Sequence, residues 1–170
     1  MKRIIFIIPL GLFLCSCTSM QFYVCGVEIN RKDLNPYTVV GATASIGTHV
    51  LGHYVFAELN GVEIHQEETM EIVDYYETDS DFRKFARGGF ILQHSVNILL
   101  TTFERTRNTS FTKGYTITTA LETWFYPLRF RDPEDEGDFH SLDKHGGNGE
   151  AEHNSYSAIA LYNILRIKNN

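Results

Sequence analysis

The sequence predicts a mainly α-helical protein, a small bundle of about four to five helices behind an N-terminal tether. Three observations lead to this prediction. Apolar residues recur at helical spacing in several segments, and 170 residues leave room for only one domain. In addition, 43% of the residues are hydrophobic, which is enough for a packed core and excludes a wholly disordered chain.

The N-terminus has the pattern of an export signal. A basic start, Met1-Lys2-Arg3, precedes an apolar run at 4–14 that is too short to span a bilayer comfortably. The run leads into Leu14-Cys15-Ser16-Cys17, which resembles the bacterial lipobox. The resemblance implies cleavage before Cys17, a lipid on its sulfur, and a membrane-anchored lipoprotein of the cell envelope facing the periplasm or the exterior. An uncleaved anchor and a chance match to the lipobox are the alternatives.

These features predict a signal peptide at 1–16, a lipid anchor and tether at 17–37, and a helical domain at 38–170. Only Cys25 would remain for a disulfide in the mature chain, so the fold must depend on packing. The net charge is −6 and the basic residues are scattered, which argues against a nucleic-acid partner. The predicted partner is the membrane, through the lipid anchor.

The first helix, at about 38–60, is apolar on all sides and rich in small residues, as expected for a helix buried in a core or in a membrane. Residues 63–81 contain eight acidic residues, and their centre at 68–76 is expected to be helical. Two further helices are expected at 81–105 and 113–126, the second ending at Pro127. After a polar loop at 129–149, the last helix runs from about 150 to 167.

Three of these helices also carry a stripe of polar residues that could face inward. The stripes consist of Arg87, His94, Asn97 and Thr101; of Tyr115, Thr119, Glu122 and Tyr126; and of Glu152, Tyr156 and Asn163. Metal or cofactor sites in helical bundles are built from such inward groups. The same stripes could instead be the solvated faces of the helices.

The candidate metal ligands begin with His49 and His53, which lie four residues apart on one face of the first helix. The segment from Thr48 to Val62 resembles the active-site helix of zincin metallopeptidases, and the resemblance implies zinc as the ion. Val50 stands where those enzymes have their general-base glutamate, so ordinary peptide hydrolysis is not expected. His94 and Glu122 are the predicted third and fourth ligands.

Histidines also cluster in the late loop, where His140, His145 and His153 lie among acidic residues, but glycine-rich turn formation explains that segment more simply. Three functions stay open. The first is a non-enzymatic envelope lipoprotein with binding or structural duties and a metal-retaining helix. The second is a metal-dependent hydrolase that uses Glu122 or Glu152 as its base. The third is a small polytopic membrane protein.

Overall fold

The computed structural model describes residues 22–24, 27–29, 32–62, 65–66, 72–73, 78–129 and 138–168. Within these residues the chain is mainly helical, which confirms the predicted bundle. The helices are α1 (Pro36–Leu59), α2 (Asp79–Thr102), α3 (Glu104–Arg107), α4 (Ser110–Arg129), α5 (Asp138–Lys144) and α6 (Gly149–Lys168). The strands form two antiparallel hairpins, β1 (Phe22–Val24) with β2 (Val27–Ile29), and β3 (His65–Gln66) with β4 (Ile72–Val73).

Helix α1 packs between α2 and α4 and begins at a well-formed cap. The side chain of Asn35 accepts hydrogen bonds from the backbone N–H groups of the first turn, and Pro36 occupies the first helical position. Glycines allow close packing along the helix. A Cβ on Gly52 would lie 2.3 Å from the carbonyl oxygen of Gly88 in α2, and one on Gly41 would lie 2.0 Å from that of Phe111 in α4. Larger residues at these positions would push the helices apart.

The remaining elements close the bundle around α2 and α4. Val27 and Ile29 of β2 pack with Ala120 of α4 and with apolar residues of α6, including Ile164. The first hairpin therefore contributes to the core of the bundle. A second cluster joins α2 to α5 through Ala86, Phe90, Phe139 and Leu142.

Three details of the predicted secondary structure are wrong. Ile72–Val73 form β4, whereas a helix was expected at 68–76. Helix α4 continues past Pro127 to Arg129, and part of the predicted polar loop forms α5. The described part of the chain contains no helix that is long and apolar enough to cross a membrane.

The interior of the bundle is unusually polar, and much of its outer surface is apolar. The buried polar side chains include Ser45, Gln93, His94, Asn97, Thr101, Thr116, Thr119, Thr123 and Asn163. Hydrogen bonds link them across helices, for example Thr116 to Asn97 at 2.7 Å and Thr101 to Asn163 at 2.7 Å. The inward orientation of the polar stripes is therefore confirmed for His94, Asn97, Thr101, Thr119 and Asn163.

Candidate metal centre

Two histidines of α1 and one aspartate of α5 meet at the junction of α1, α2 and α5. His49 Nε2 lies 3.2 Å from His53 Nε2 and 3.3 Å from Asp138 Oδ2. His53 Nε2 lies 3.5 Å from the same carboxylate oxygen. The three side chains are the one group of histidine and acidic ligands found in the described residues with ligand atoms close enough to hold a metal ion.

The size of this triangle matches the coordination shell of a small divalent ion. A tetrahedral ion with metal–ligand bonds of about 2.0–2.1 Å holds neighbouring ligand atoms about 3.3–3.4 Å apart. The three observed separations of 3.2, 3.3 and 3.5 Å bracket that value. One ion could therefore contact both imidazoles and the carboxylate with little rearrangement of the side chains.

The orientation of His53 is fixed by α2. Its Nδ1 lies 2.8 Å from the backbone carbonyl oxygen of Phe85, and its ring stacks on the Phe85 ring at 4.7 Å. Since a carbonyl oxygen only accepts, Nδ1 carries the proton, and Nε2, 3.2 Å from His49 Nε2, keeps the lone pair that a metal ion would use. Metal-binding histidines are usually held by a hydrogen bond of this kind. Burial lowers the pKa of His53, with the charge of Asp138 opposing the shift, so the ring is held in the neutral form that binds metal.

His49 is placed in a more negative environment. Burial lowers its pKa, but the hydrogen bond and charge of Asp138, followed by the charge of Glu122, outweigh that effect and leave the pKa raised. A hydrogen bond with Gln93 acts in the same direction. The site therefore attracts positive charge, which is carried either by a proton on His49 or by a bound cation.

Aromatic packing positions Asp138, the first residue of α5. The next residue, Phe139, stacks on Phe90 of α2 with ring centroids 4.5 Å apart, and Leu142 joins the same cluster one turn later. The ring of Phe90 also contacts His49 edge-on at 4.6 Å. The same apolar cluster thus holds α5 against α2 and supports one of the two histidines.

Gly89 of α2 leaves open the space in front of both imidazoles. A Cβ built on this residue would lie 2.5 Å from His53 Nε2 and 2.9 Å from His49 Nε2. Both distances are too short for a carbon atom beside an imidazole nitrogen, so a side chain here would crowd the space in front of the two rings. The neighbouring Gly88 has a different function, because it makes the close contact with Gly52.

The predicted ligands His94 and Glu122 lie outside this three-residue group. His94 is buried between α2 and α4, where its Nε2 lies 3.0 Å from Thr123 Oγ1. Burial lowers its pKa to about 4. Glu122 accepts a short hydrogen bond from the amide of Gln93, which also donates to Ser45 Oγ at 2.9 Å. Glu122 therefore influences His49 through its charge, whereas Asp138 takes the position of the third ligand.

The other residues of interest from the sequence have structural partners or are exposed. His145 lies 2.7 Å from Asp79, and His153 lies 3.0 Å from the carbonyl oxygen of Thr123; the side chain of His140 is outside the described residues. Glu152 pairs with Arg87 at 2.7 Å. Val50 is 46% exposed, so the position of the zincin glutamate belongs to the surface of this bundle.

The sequence did contain a signal for the short helix that carries Asp138. Asp138, Phe139 and Leu142 have the spacing of a short helix with an acid in its first turn and two apolar residues on one face. This pattern would have placed a helix inside the predicted loop. It would not have shown that the helix packs beside His49.

No protein-family model matches the chain, and neither curated protein sequences nor solved structures give a match to it.

Proposed function

We propose that this chain is a bacterial cell-envelope lipoprotein that binds a divalent metal ion through His49, His53 and Asp138. The proposal rests chiefly on the triangle of three ligand atoms, whose sides of 3.2, 3.3 and 3.5 Å match a tetrahedral coordination shell. The neutral His53 and the carboxylate of Asp138 provide the ligand chemistry. The function that this geometry supports best is metal retention, with binding or structural duties and no enzymatic step.

Zinc is the ion proposed here, because the spacing of His49 and His53 resembles that of the zincin helix and the triangle has the size of a tetrahedral shell. Two imidazole nitrogens and one carboxylate oxygen are common zinc ligands, and the three together leave one position for water or for a group from a partner. Metal binding would also join α1 to α5 and thereby stabilise a bundle whose interior is rich in polar groups. This stabilisation would occur whether or not a water molecule or a partner group occupies the fourth coordination position of the ion.

Metal content measured on the purified chain tests this function directly. Wild-type protein should retain about one zinc ion per chain after dialysis, as expected for a site of three protein ligands. Asp138→Asn should weaken zinc affinity by more than the roughly 10–100-fold typical of losing a second-shell partner. Glu150→Gln, at an exposed acid of α6, is the matched control and should keep the metal. Equal zinc affinity in all three proteins would refute the site.

The lipid anchor is the second part of the proposal. Cys17 lies outside the described residues, so this part rests on the basic start, the apolar run and the lipobox-like Leu14–Cys17 segment. Cys17→Ala should abolish labelling by a palmitate analogue and leave the precursor unprocessed. Unchanged labelling of that variant would show that Cys17 does not carry the lipid, and the proposed metal site would be unaffected by this result.

A metal-dependent hydrolase is the second candidate function, because of Glu122. Its carboxylate is held by Gln93 and lies close enough to His49 to raise the pKa of that ring. A carboxylate near a zinc-bound water could act as a general base. If zinc-loaded protein hydrolyses ester or peptide substrates, Glu122→Gln should lower kcat and retain the metal. Hydrolysis that is equally fast in this variant would exclude Glu122 as the base.

A further inference from the structure

Several helix ends meet at one end of the bundle, far from the metal centre. The start of α1 contacts the start of α4, where Asn35 Nδ2 donates to Ser110 Oγ at 2.8 Å. The end of α6 contacts the end of α2, where Arg166 donates to the backbone carbonyl of Thr102 at 3.3 Å. Helix α3 joins α2 to α4 across the same end. We call this surface the basic end, because of the charges described next.

The basic end is positive although the whole chain is negative. Its described basic residues are Lys32, Arg105, Arg107, Lys113, Arg166 and Lys168, and its described acids are Glu28, Asp33 and Glu104. One of these acids, Asp33, is already paired with Lys113 at 2.9 Å. The opposite end carries the acids of α5 and of the first turns of α2 and α6 together with the basic residues Arg83, Lys84, Arg87 and Lys144. The basic end thus combines six basic with three acidic described residues, within a chain of net charge −6.

Large apolar side chains are exposed among these basic residues. Tyr37 is 71% exposed, Phe103 is 60% exposed and Leu99 is 56% exposed. Leu34 and Val39, near the start of α1, are exposed as well. Aromatic and aliphatic side chains next to arginine and lysine are typical of proteins that bind the interface of an anionic membrane.

We propose that the basic end docks on the surface of an anionic phospholipid bilayer. Phe103 and Tyr37 enter the boundary between headgroups and acyl chains, while Arg105 and Arg107 contact lipid phosphates. Charge favours lipid over a second copy of the chain, because a symmetric contact would bring two positive ends together. The segment leading back to Cys17 also joins α1 at this end, but the docking surface does not require the acyl chain.

Docking in this manner directs the metal centre away from the membrane. His53 lies sixteen residues beyond Tyr37 in α1, which corresponds to roughly 24 Å along the helix axis. His49, His53 and Asp138 would therefore face the aqueous side of the envelope. A soluble metal ion or partner would reach the site without entering the headgroup region.

Tryptophan quenching by brominated lipids measures this orientation in the full chain. The sequence contains a single tryptophan, Trp124, so Trp124→Phe provides a background without tryptophan. Phe103→Trp then reports the basic end, and Asn154→Trp, at an exposed position near the start of α6, reports the opposite end. Both variants are first checked for wild-type helicity and melting temperature. They are then reconstituted with vesicles of equal parts phosphatidylcholine and phosphatidylglycerol that carry brominated acyl chains.

The proposal predicts strong quenching and a blue shift for Phe103→Trp and neither effect for Asn154→Trp. Quenching should decrease in vesicles of phosphatidylcholine alone. Adding Arg105→Glu should weaken docking by about fivefold or more, since each surface arginine contributes about that factor. Absence of quenching in both tryptophan variants, or equal quenching in both, would overturn the proposal. A blue shift that grows with protein concentration without lipid would show that a second copy covers this end instead.

Discussion

The Nδ1 atom of His53 lies 2.8 Å from the backbone carbonyl oxygen of Phe85, and this contact orients the candidate metal centre. The carbonyl requires a proton on Nδ1, so the Nε2 atom of His53 keeps the lone pair that a metal ion would use. The backbone of α2 therefore orients His53, a candidate metal ligand on α1. Because Phe85 is on a regular helix, this carbonyl is held more rigidly than one on a loop would be.

A chelator should lower the melting temperature of the wild type and leave His49→Ala nearly unaffected. Binding that is specific for the folded chain adds about 4 kcal/mol at a free zinc concentration 1,000 times Kd. For a chain of this size each kcal/mol of stability corresponds to about 2–4 °C in melting temperature, so the decrease caused by the chelator is measurable by calorimetry. If the chelator changes neither protein, the histidines are ordinary core residues. His53→Ala would then still cost about 1–3 kcal/mol through its lost hydrogen bond and cavity.

Gly89→Ala should weaken zinc binding more than any other glycine-to-alanine substitution in the helices. The new Cβ would lie 2.5 Å from His53 Nε2 and would fill the space in front of both rings. Gly47→Ala is the control, because no atom lies within 4 Å of a Cβ at that position. Because alanine loses less backbone entropy than glycine on folding, Gly47→Ala should be more stable than the wild type by about 0.5–1 kcal/mol. Its zinc affinity should be unchanged. Isothermal titration with zinc compares the two variants, and equal affinities would contradict this account.

Thr116→Val should destabilise the fold through the polar interior. Thr116 Oγ1 donates to the Oδ1 atom of Asn97 at 2.7 Å, and both side chains are fully buried. Valine keeps the shape but removes the donor, at a cost of about 1–3 kcal/mol for an unsatisfied buried acceptor. Thr43→Val, at an exposed position of α1, should change stability by less than about 0.5 kcal/mol. Urea unfolding measures both, and similar values would indicate that the interior hydrogen bonds contribute little.

Acid should unfold the wild type more readily than His94→Gln. Burial lowers the folded-state pKa of His94 to about 4, below the ordinary value of 6.5. The unfolded chain therefore binds a proton that the folded chain rejects, so stability is complete above about pH 6.5 and decreases as the pH falls toward 4. At pH 4.5 this group should cost the wild type roughly 2–3 kcal/mol relative to pH 7. Urea unfolding at the two pH values should give a smaller loss for His94→Gln, and an equal loss would mean that His94 is protonated in the folded chain.

Sequence reasoning identified the features that depend on local pattern. The pair His49 and His53 and the inward stripes on α2, α4 and α6 follow from helical spacing, which the chain sets within a few turns. The third ligand could not be found in this way. Asp138 is 85 residues beyond His53 and reaches it only because Phe139 stacks on Phe90 of another helix. The helix expected at 68–76 is wrong at Ile72–Val73 for a related reason, since these two residues pair with β3 and follow that partner more than their own propensity.

Anomalous diffraction at the zinc absorption edge, from crystals of the zinc-loaded protein, tests the central claim most directly. This account predicts one anomalous peak about 2.0–2.2 Å from His49 Nε2, His53 Nε2 and Asp138 Oδ2. Asp138→Asn crystals grown in the same solution should show a much weaker peak. A strong peak at other residues with none at this triangle, or zinc-loaded crystals with no ordered peak, would contradict the account.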